Sequence, residues 1–250
     1  MGKAQAVRIG VSVANAALRA VFAPHCASCN APLATPIDGC VCCHCWSAVE
    51  PPPTVAWPGD IIAAAAAGGD YAGALRQIVH AFKYEGRRSL AAPLGELMRE
   101  RGRQVLSDAT CVIPVPLHPW RRLNRGFNQA EDLARTLGPP VSAVLWRRRH
   151  TATQAELTAT QRRRNVAEAF AVWPLLSRSR RDFLRGASVV LIDDVRTTGA
   201  TLHACAVALA PLGVREVRIL TAAVRAYEPA AKEARGTISS ERAKAASRLP

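Results

Sequence analysis

Aromatic side chains make up only 5% of this 250-residue sequence, so its core must be assembled from Ala, Val, Leu and Ile. Lysine is nearly missing, with only Lys3, Lys83, Lys232 and Lys244, and 19 acids face 33 basic residues. The formal net charge of +14 is therefore carried by arginine. GC-rich codon usage accounts for Arg over Lys but not for the excess itself, which argues against cationic partners and for nucleotides, phosphosugars or nucleic acid. No apolar run approaches the ~20 residues of a membrane span. Apolar residues nonetheless reach 49%, which excludes disorder for the bulk of the chain.

Cysteine is scarce everywhere except between 26 and 45, where six of the eight lie. That shift marks a module of its own, closed by Pro51-Pro52-Pro53 and Trp57-Pro58-Gly59. Cys26-x2-Cys29 and Cys42-x2-Cys45 have the spacing of two knuckles that bring four thiolates to tetrahedral Zn²⁺. Cys40-x2-Cys43 offers a second register for the later knuckle. Disulfides or a redox dithiol are the alternatives; a cytosolic setting disfavours disulfides, and a module this small lacks core without a metal. Cys111 and Cys205 read as core residues. Before the module, Val7, Val11, Ala14, Leu18 and Phe22 fall on one face of a short amphipathic helix. Arg19 breaks the stretch as a signal peptide.

Beyond the module, Ile61 to Ala67 reads as a buried strand ended by Gly68-Gly69. Leu75, Ile78, Val79 and Phe82 mark a helix over Tyr71–Tyr84, and Ser89 is placed to cap a second through Leu94, Leu97 and Met98. Thr110 to Pro116 reads as a buried strand, Asn128 to Leu137 as a helix stopped by Gly138-Pro139-Pro140, and Val141 to Leu145 as a strand. Ala187 to Ile192 has the pattern of a strand covered on both faces. A helix from Ala200 to Leu212, Gly213, and a strand over Val214–Val224 complete a βαβ unit, hence a parallel sheet. The chain divides into 1–55 (helix and cysteine module), 60–227 (α/β domain) and a disordered tail, 228–250.

Val189-Val190-Leu191-Ile192-Asp193-Asp194-Val195-Arg196-Thr197-Thr198-Gly199-Ala200-Thr201 carries the chemistry. A buried strand delivers two carboxylates to its C-terminal end, and a hydroxyl- and glycine-rich turn leads into a helix N-terminus. Amides there lack helical partners and the dipole adds positive character, which makes a phosphate site. A carboxylate at the strand end accepts bonds from a ribose diol. An Asp acting only as helix cap would not need the second Asp or the Thr-Thr-Gly turn.

This segment resembles the thirteen-residue signature of type I phosphoribosyltransferases. The wider resemblance, over about residues 20–226, is to the ComF/GntX family. It is carried by Phe22-Ala23-Pro24-His25-Cys26, the paired cysteines, Lys83-Tyr84-Glu85-Gly86, Ile113-Pro114-Val115-Pro116-Leu117, Arg125-Gly126-Phe127-Asn128-Gln129-Ala130, and Arg164-Asn165-Val166 leading to Ala169-Phe170. The resemblance implies a type I phosphoribosyltransferase-like α/β fold with a parallel sheet flanked by helices, plus a small N-terminal zinc ribbon. It implies 5-phosphoribosyl-1-pyrophosphate with Mg²⁺ as ligand and phosphoribosyl transfer as reaction, in a cytoplasmic protein tied to competence and DNA uptake. Asp193 and Asp194 would hold the ribose hydroxyls, and Val195 to Thr201 would wrap the 5-phosphate. It favours Cys42 and Cys45 over Cys40 and Cys43 as ligands. Arg196 departs from the apolar or aromatic residue usual there, and is expected near the phosphate or in solvent. No separate base-recognising hood is visible.

In that fold the loop after the first sheet strand grips pyrophosphate, which draws in Pro116, Leu117 and His118. Arg125, with Arg121 and Arg122, suits a mobile loop closing on pyrophosphate. Lys83 and Arg87 are further candidates to reach the pocket. The bland alternatives are a loop histidine and a solvated basic face. A different class of reading is a non-catalytic single-stranded-DNA-binding protein, or one docking a competence or recombination partner. Residues 121–164 hold ten arginines against three acids, but stacking aromatics are few, with Trp146, Phe170 and Trp173 nearby.

Overall fold

A computed structural model describes residues 2–22, 24–54, 61–117, 126–148 and 169–225. A four-stranded parallel sheet organises it, in the order β1 (Ile62–Ala67), β6 (Glu216–Val224), β5 (Ser188–Arg196), β2 (Cys111–Pro114). The register pairs Ile113 with Leu191, Leu191 with Ile219 and Ala66 with Leu220. Strand β2 and the apolar stretches of the two inner strands are buried, as a parallel sheet covered on both faces requires. The expected parallel sheet flanked by helices is the one observed.

Each face of the sheet has its own cluster. On one face Leu75, Ile78 and Phe82 of α3 (Gly73–Tyr84), Leu94 and Met98 of α4 (Ala91–Arg101), Val105 of α5 (Arg103–Leu106) and Leu133 of α6 (Gln129–Ala134) pack with Val112, Val190, Ile192 and Leu220. On the other, Leu202, Cys205 and Leu209 of α8 (Ala200–Leu209) pack with Cys111, Ile113, Val189, Leu191 and Ile219. An antiparallel pair, β3 (Leu145–Arg147) and β4 (Phe170–Val172), joins that second cluster. Cys111 and Cys205 are wholly buried.

Several expectations are corrected. Strand β1 is an edge, not a buried strand: Ala63 and Ala64 are exposed, because an alanine run carries no alternation to tell faces apart. Ser89 caps nothing; residues Arg88–Leu90 form a 3₁₀ turn and α4 begins after Leu90. Of Val141–Leu145, only Val141 bridges to Val112, and the chain turns away to start β3 at Leu145. In α1 (Gly2–Phe22) Val11 is exposed, while the polar Asn15 is buried and accepts the Ile37 N–H at 3.0 Å. The predicted tail, 228–250, lies outside the described residues.

The cysteine module docks at the C-terminal edge of the sheet. Cys26, Cys45 and Val49 belong to the same apolar cluster as α3. Glu50 O accepts the Asp70 N–H at 3.2 Å, and Arg101 donates to Glu50 O and Gly68 O. Gly69 permits this approach: a Cβ there would lie 2.8 Å from Glu50 O.

Candidate ribose-phosphate site and metal centre

Strand β5 does not stop where its acids begin. Asp193 pairs with Thr221 and Arg196 with Val224, so both carboxylates stand inside the last rungs of the ladder rather than beyond it. Partner strand β6 runs to Val224, which keeps those rungs paired. Adjacent strand residues face opposite ways. Asp194 faces α3, where its Oδ1 meets Lys83 Nζ at 2.7 Å, with both side chains 14% exposed. Asp193 faces α8: burial, and after it the charge of Asp193, pushes the Cys205 thiol well up. Asp193 itself is pushed up to about 7, chiefly by burial and next by the Asp194 charge; the Asp194 N–H donated to its Oδ1 at 2.8 Å and the Lys83 charge only partly oppose this.

The turn after β5 is three residues long. Thr197 and Thr198 are exposed, and Gly199 sits at φ +76°, a left-handed conformation that suits glycine. The Ala200 N–H reaches Thr198 Oγ1 at 3.4 Å, and the first helical bond of α8 runs from the His203 N–H to Gly199 O at 2.9 Å. Among the described residues, no backbone carbonyl accepts the amides of Thr197, Thr198 or Gly199. These N–H groups stand at the N-terminus of a ten-residue helix, whose dipole adds positive character there. Val195, Ala200 and Thr201 are half-buried. Arg196 is 6% exposed, so it does not turn to solvent, and burial lowers its pKa.

A second segment reaches the same strand end where the Val115 N–H donates to Ile192 O at 2.9 Å, one residue before Asp193. Pro116 and Leu117 follow, both half-buried. Asn128 closes the excursion, donating from Nδ2 to Val115 O at 3.3 Å while its Oδ1 caps α6 through the Ala130 N–H. His118, Arg121, Arg122 and Arg125 lie outside the described residues. Arg87 bonds Glu85 and His25 O, and so ties α3 to the cysteine module rather than to the acids.

In that module the ligand atoms of Cys26, Cys29, Cys42 and Cys45 lie within 4.8 Å of one another. Cys29 Sγ and Cys42 Sγ are 3.8 Å apart, close to the ~3.8 Å edge of a tetrahedron with zinc–sulfur bonds of about 2.3 Å. Burial raises the Cys26 thiol, but backbone N–H groups of Cys29, Cys42 and Ser28 outweigh it and bring it down to about 6. Cys45 is pushed up to about 12, by burial first and by its crowding with the other three thiols. A dication would relieve that crowding, and the set could hold a metal ion such as zinc. Cys43 is exposed and Cys40 contacts Ser89 Oγ at 3.7 Å, both apart from the cluster, so the register is 42/45.

Residues 123–241 match the phosphoribosyl transferase domain family. Competence protein F of Haemophilus influenzae is 32% identical over 186 residues, which cover 70% of this chain and 76% of that protein. The chain belongs to the ComF family. DNA utilization protein YhgH of Escherichia coli K12, 32% identical over 161 residues, covers 60% of this ComF-family chain and 67% of its own length. Among solved structures, glutamine phosphoribosylpyrophosphate amidotransferase of Bacillus subtilis is similar at 17% identity and a TM-score of 0.36, over 58% of this chain and 30% of that one. Orotate phosphoribosyltransferase of Aeropyrum pernix is similar at 20% identity and a TM-score of 0.33, over 56% and 75%.

The ComF-family chain thus brings together Asp193, Asp194, the 195–201 turn, Pro116 and Leu117 at one sheet edge. Lys83 joins them from 111 positions upstream. Its only sequence signal was a place in the Lys83-Tyr84-Glu85-Gly86 run, because spacing does not reveal which way the end of α3 points.

Proposed function

We propose that this chain binds 5-phosphoribosyl-1-pyrophosphate, or a close phosphosugar relative, together with Mg²⁺. What carries this reading is that the end of β5 sets two carboxylates beside a turn whose amides, among the described residues, no backbone carbonyl accepts. The amides of Thr197, Thr198 and Gly199, with the hydroxyls of Thr197, Thr198 and Thr201, take the 5-phosphate. Asp193 and Asp194 accept bonds from the ribose diol. Pro116, Leu117 and His118 face the pyrophosphate, and Arg125 closes on it. Mg²⁺, when bound, neutralises the pyrophosphate; held largely by water and ligand oxygens, it asks for few protein ligands. Given an acceptor, the reaction is phosphoribosyl transfer, in which positioning and charge stabilisation of the departing pyrophosphate do most of the catalysis. Cys26, Cys29, Cys42 and Cys45 hold Zn²⁺ in a closed, structural site within 1–55, with 60–227 as the catalytic-type domain. Such a thiolate site suits a cytoplasmic setting, and no helix among the described residues is long and apolar enough to cross a membrane.

A second reading, contact with single-stranded DNA or an acidic competence or recombination partner, rests on α7 (Arg178–Leu184). There Arg178, Arg180 and Arg181 are exposed beside the half-exposed Trp173 and Phe183. One calorimetric series tests both. The intact chain and its Asp193→Ala/Asp194→Ala variant are titrated with phosphoribosyl pyrophosphate and Mg²⁺, and separately with a DNA oligomer. Sugar-phosphate affinity should fall at least 100-fold in the variant. Absence of binding by the intact chain would sink the first reading, and DNA binding that survives the double substitution would place it elsewhere on the surface.

A further inference from the structure

The ion pair between Lys83 and Asp194 has no part in the roles assigned so far. It is not a surface pair: each side chain is 14% exposed, and the nitrogen–oxygen distance is 2.7 Å. Lys83 stands in the last turn of α3, and the preceding residues Ala81 and Phe82 are wholly buried, so the backbone that presents it is fixed by the core. The exit of that helix is held as well, since Arg87 bonds Glu85 and His25 O. Asp194 has its backbone locked in the β5 ladder, but its carboxylate is free to rotate until something holds it. Among the described residues, Lys83 is the cation paired with it.

We infer that Lys83 is a positioning residue: its ammonium turns the Asp194 carboxylate so that one oxygen stays on Lys83 and the other faces the ribose diol. This rests on the ribose-phosphate reading above. A single carboxylate can serve both partners because it offers two oxygens and about four lone-pair sites. The pair also supplies the opposite charge that two adjacent acids need to share one strand end. Lys83 acts through Asp194 and need not touch the ligand.

The test is a double-mutant cycle read by calorimetric binding of phosphoribosyl pyrophosphate with Mg²⁺. Lys83→Met should weaken binding 10- to 100-fold, and Asp194→Asn by at least as much. The double variant should bind within about twofold of Asp194→Asn, because a residue that works through Asp194 has nothing left to orient. Lys83→Arg should recover at least a tenth of the original affinity, and circular dichroism should show all four variants folded. A purely structural lysine predicts losses that add in the double variant and no recovery with arginine; either result overturns the role. Affinity unchanged in Lys83→Met overturns it too. Those failures leave the intact chain binding, whereas no binding by the intact chain removes the reading beneath it.

Discussion

The cysteine ribbon and the acid pair sit at the same edge of one sheet, and they stand in opposite relations to charge. The ribbon brings four thiols within 4.8 Å and has little else to hold it: Cys26, Leu33, Val41, Cys45 and Val49 are its buried apolar residues, and two of these are metal-ligand candidates. The acid pair stands on a strand whose five preceding residues are all buried, paired on both sides. Remove the charged groups and that strand still has every reason to form. In the ribbon a bound metal would help make the fold. At the acids the fold is made first and then tolerates charges that oppose it. The two regions should therefore answer substitution with opposite signs.

The largest effect belongs to the ribbon. Structural zinc binding is folding free energy, about 10–16 kcal/mol in zinc-finger peptides. The purified chain should carry one zinc. Chelation, or Cys26→Ser or Cys45→Ser, should release it, unfold the ribbon and uncover the α3 face it packs on, lowering Tm on the order of 10 °C. Trp46, half-buried against that cluster, reports the change by fluorescence. A zinc-free chain that melts where the loaded chain melts would break the comparison on this side.

The acid side should move the other way. Asp193 titrates near 7 in the fold against an ordinary 3.8, because burial and the Asp194 charge disfavour its ionised form. Between those values the folded chain holds a proton that the unfolded chain releases. Stability from this group is thus complete below about pH 4 and is lost as pH rises through 7. Above that, an ionised Asp193 costs on the order of 2–4 kcal/mol. Asp193→Asn should raise Tm at pH 8, and the gain should shrink towards zero at pH 4, where the native side chain is itself neutral. Melting curves at both pH values check this, and a gain equal at the two would mean that the carboxylate's charge is not the cause.

The same contrast explains what could be read from the sequence. The acids, turn and βαβ unit were legible because 187–224 is strongly patterned: a continuous apolar run, two acids, three hydroxyls and a glycine, then a helix. The cysteine spacing was equally plain, although Cys40 and Cys43 left two registers open until the fold set them apart. What was missed lacks local signal. Strands β3 and β4 have three residues each, too short for a period, and α7 is seven residues rich in arginine. Ser89 looked like a cap, but the 3₁₀ turn is a competing local structure with the same residues. Lys83 was a candidate from the sequence, but its partner was not legible, because Asp194 stands on a strand more than a hundred residues away.

The smallest predicted effect is the most discriminating for the ribbon. Cys40, Cys42, Cys43 and Cys45 crowd into six residues, so chemistry alone would let a metal choose among them. Cys42 forms the N-cap of the short helix α2 (Cys43–Ser47), and its N–H donates to Cys26 Sγ at 3.3 Å. That bond fixes the strand-like entry which points Cys42 inward, and one helical turn then carries Cys45 inward and Cys43 outward. Cys43→Ser and Cys40→Ser should therefore keep one zinc per chain and shift stability by no more than about 0.5 kcal/mol. Cys42→Ser should lose the metal. If Cys43→Ser released zinc instead, the ion would sit in the other register, and the packing of Cys45 against α3 would not couple metal binding to the rest of the sheet edge.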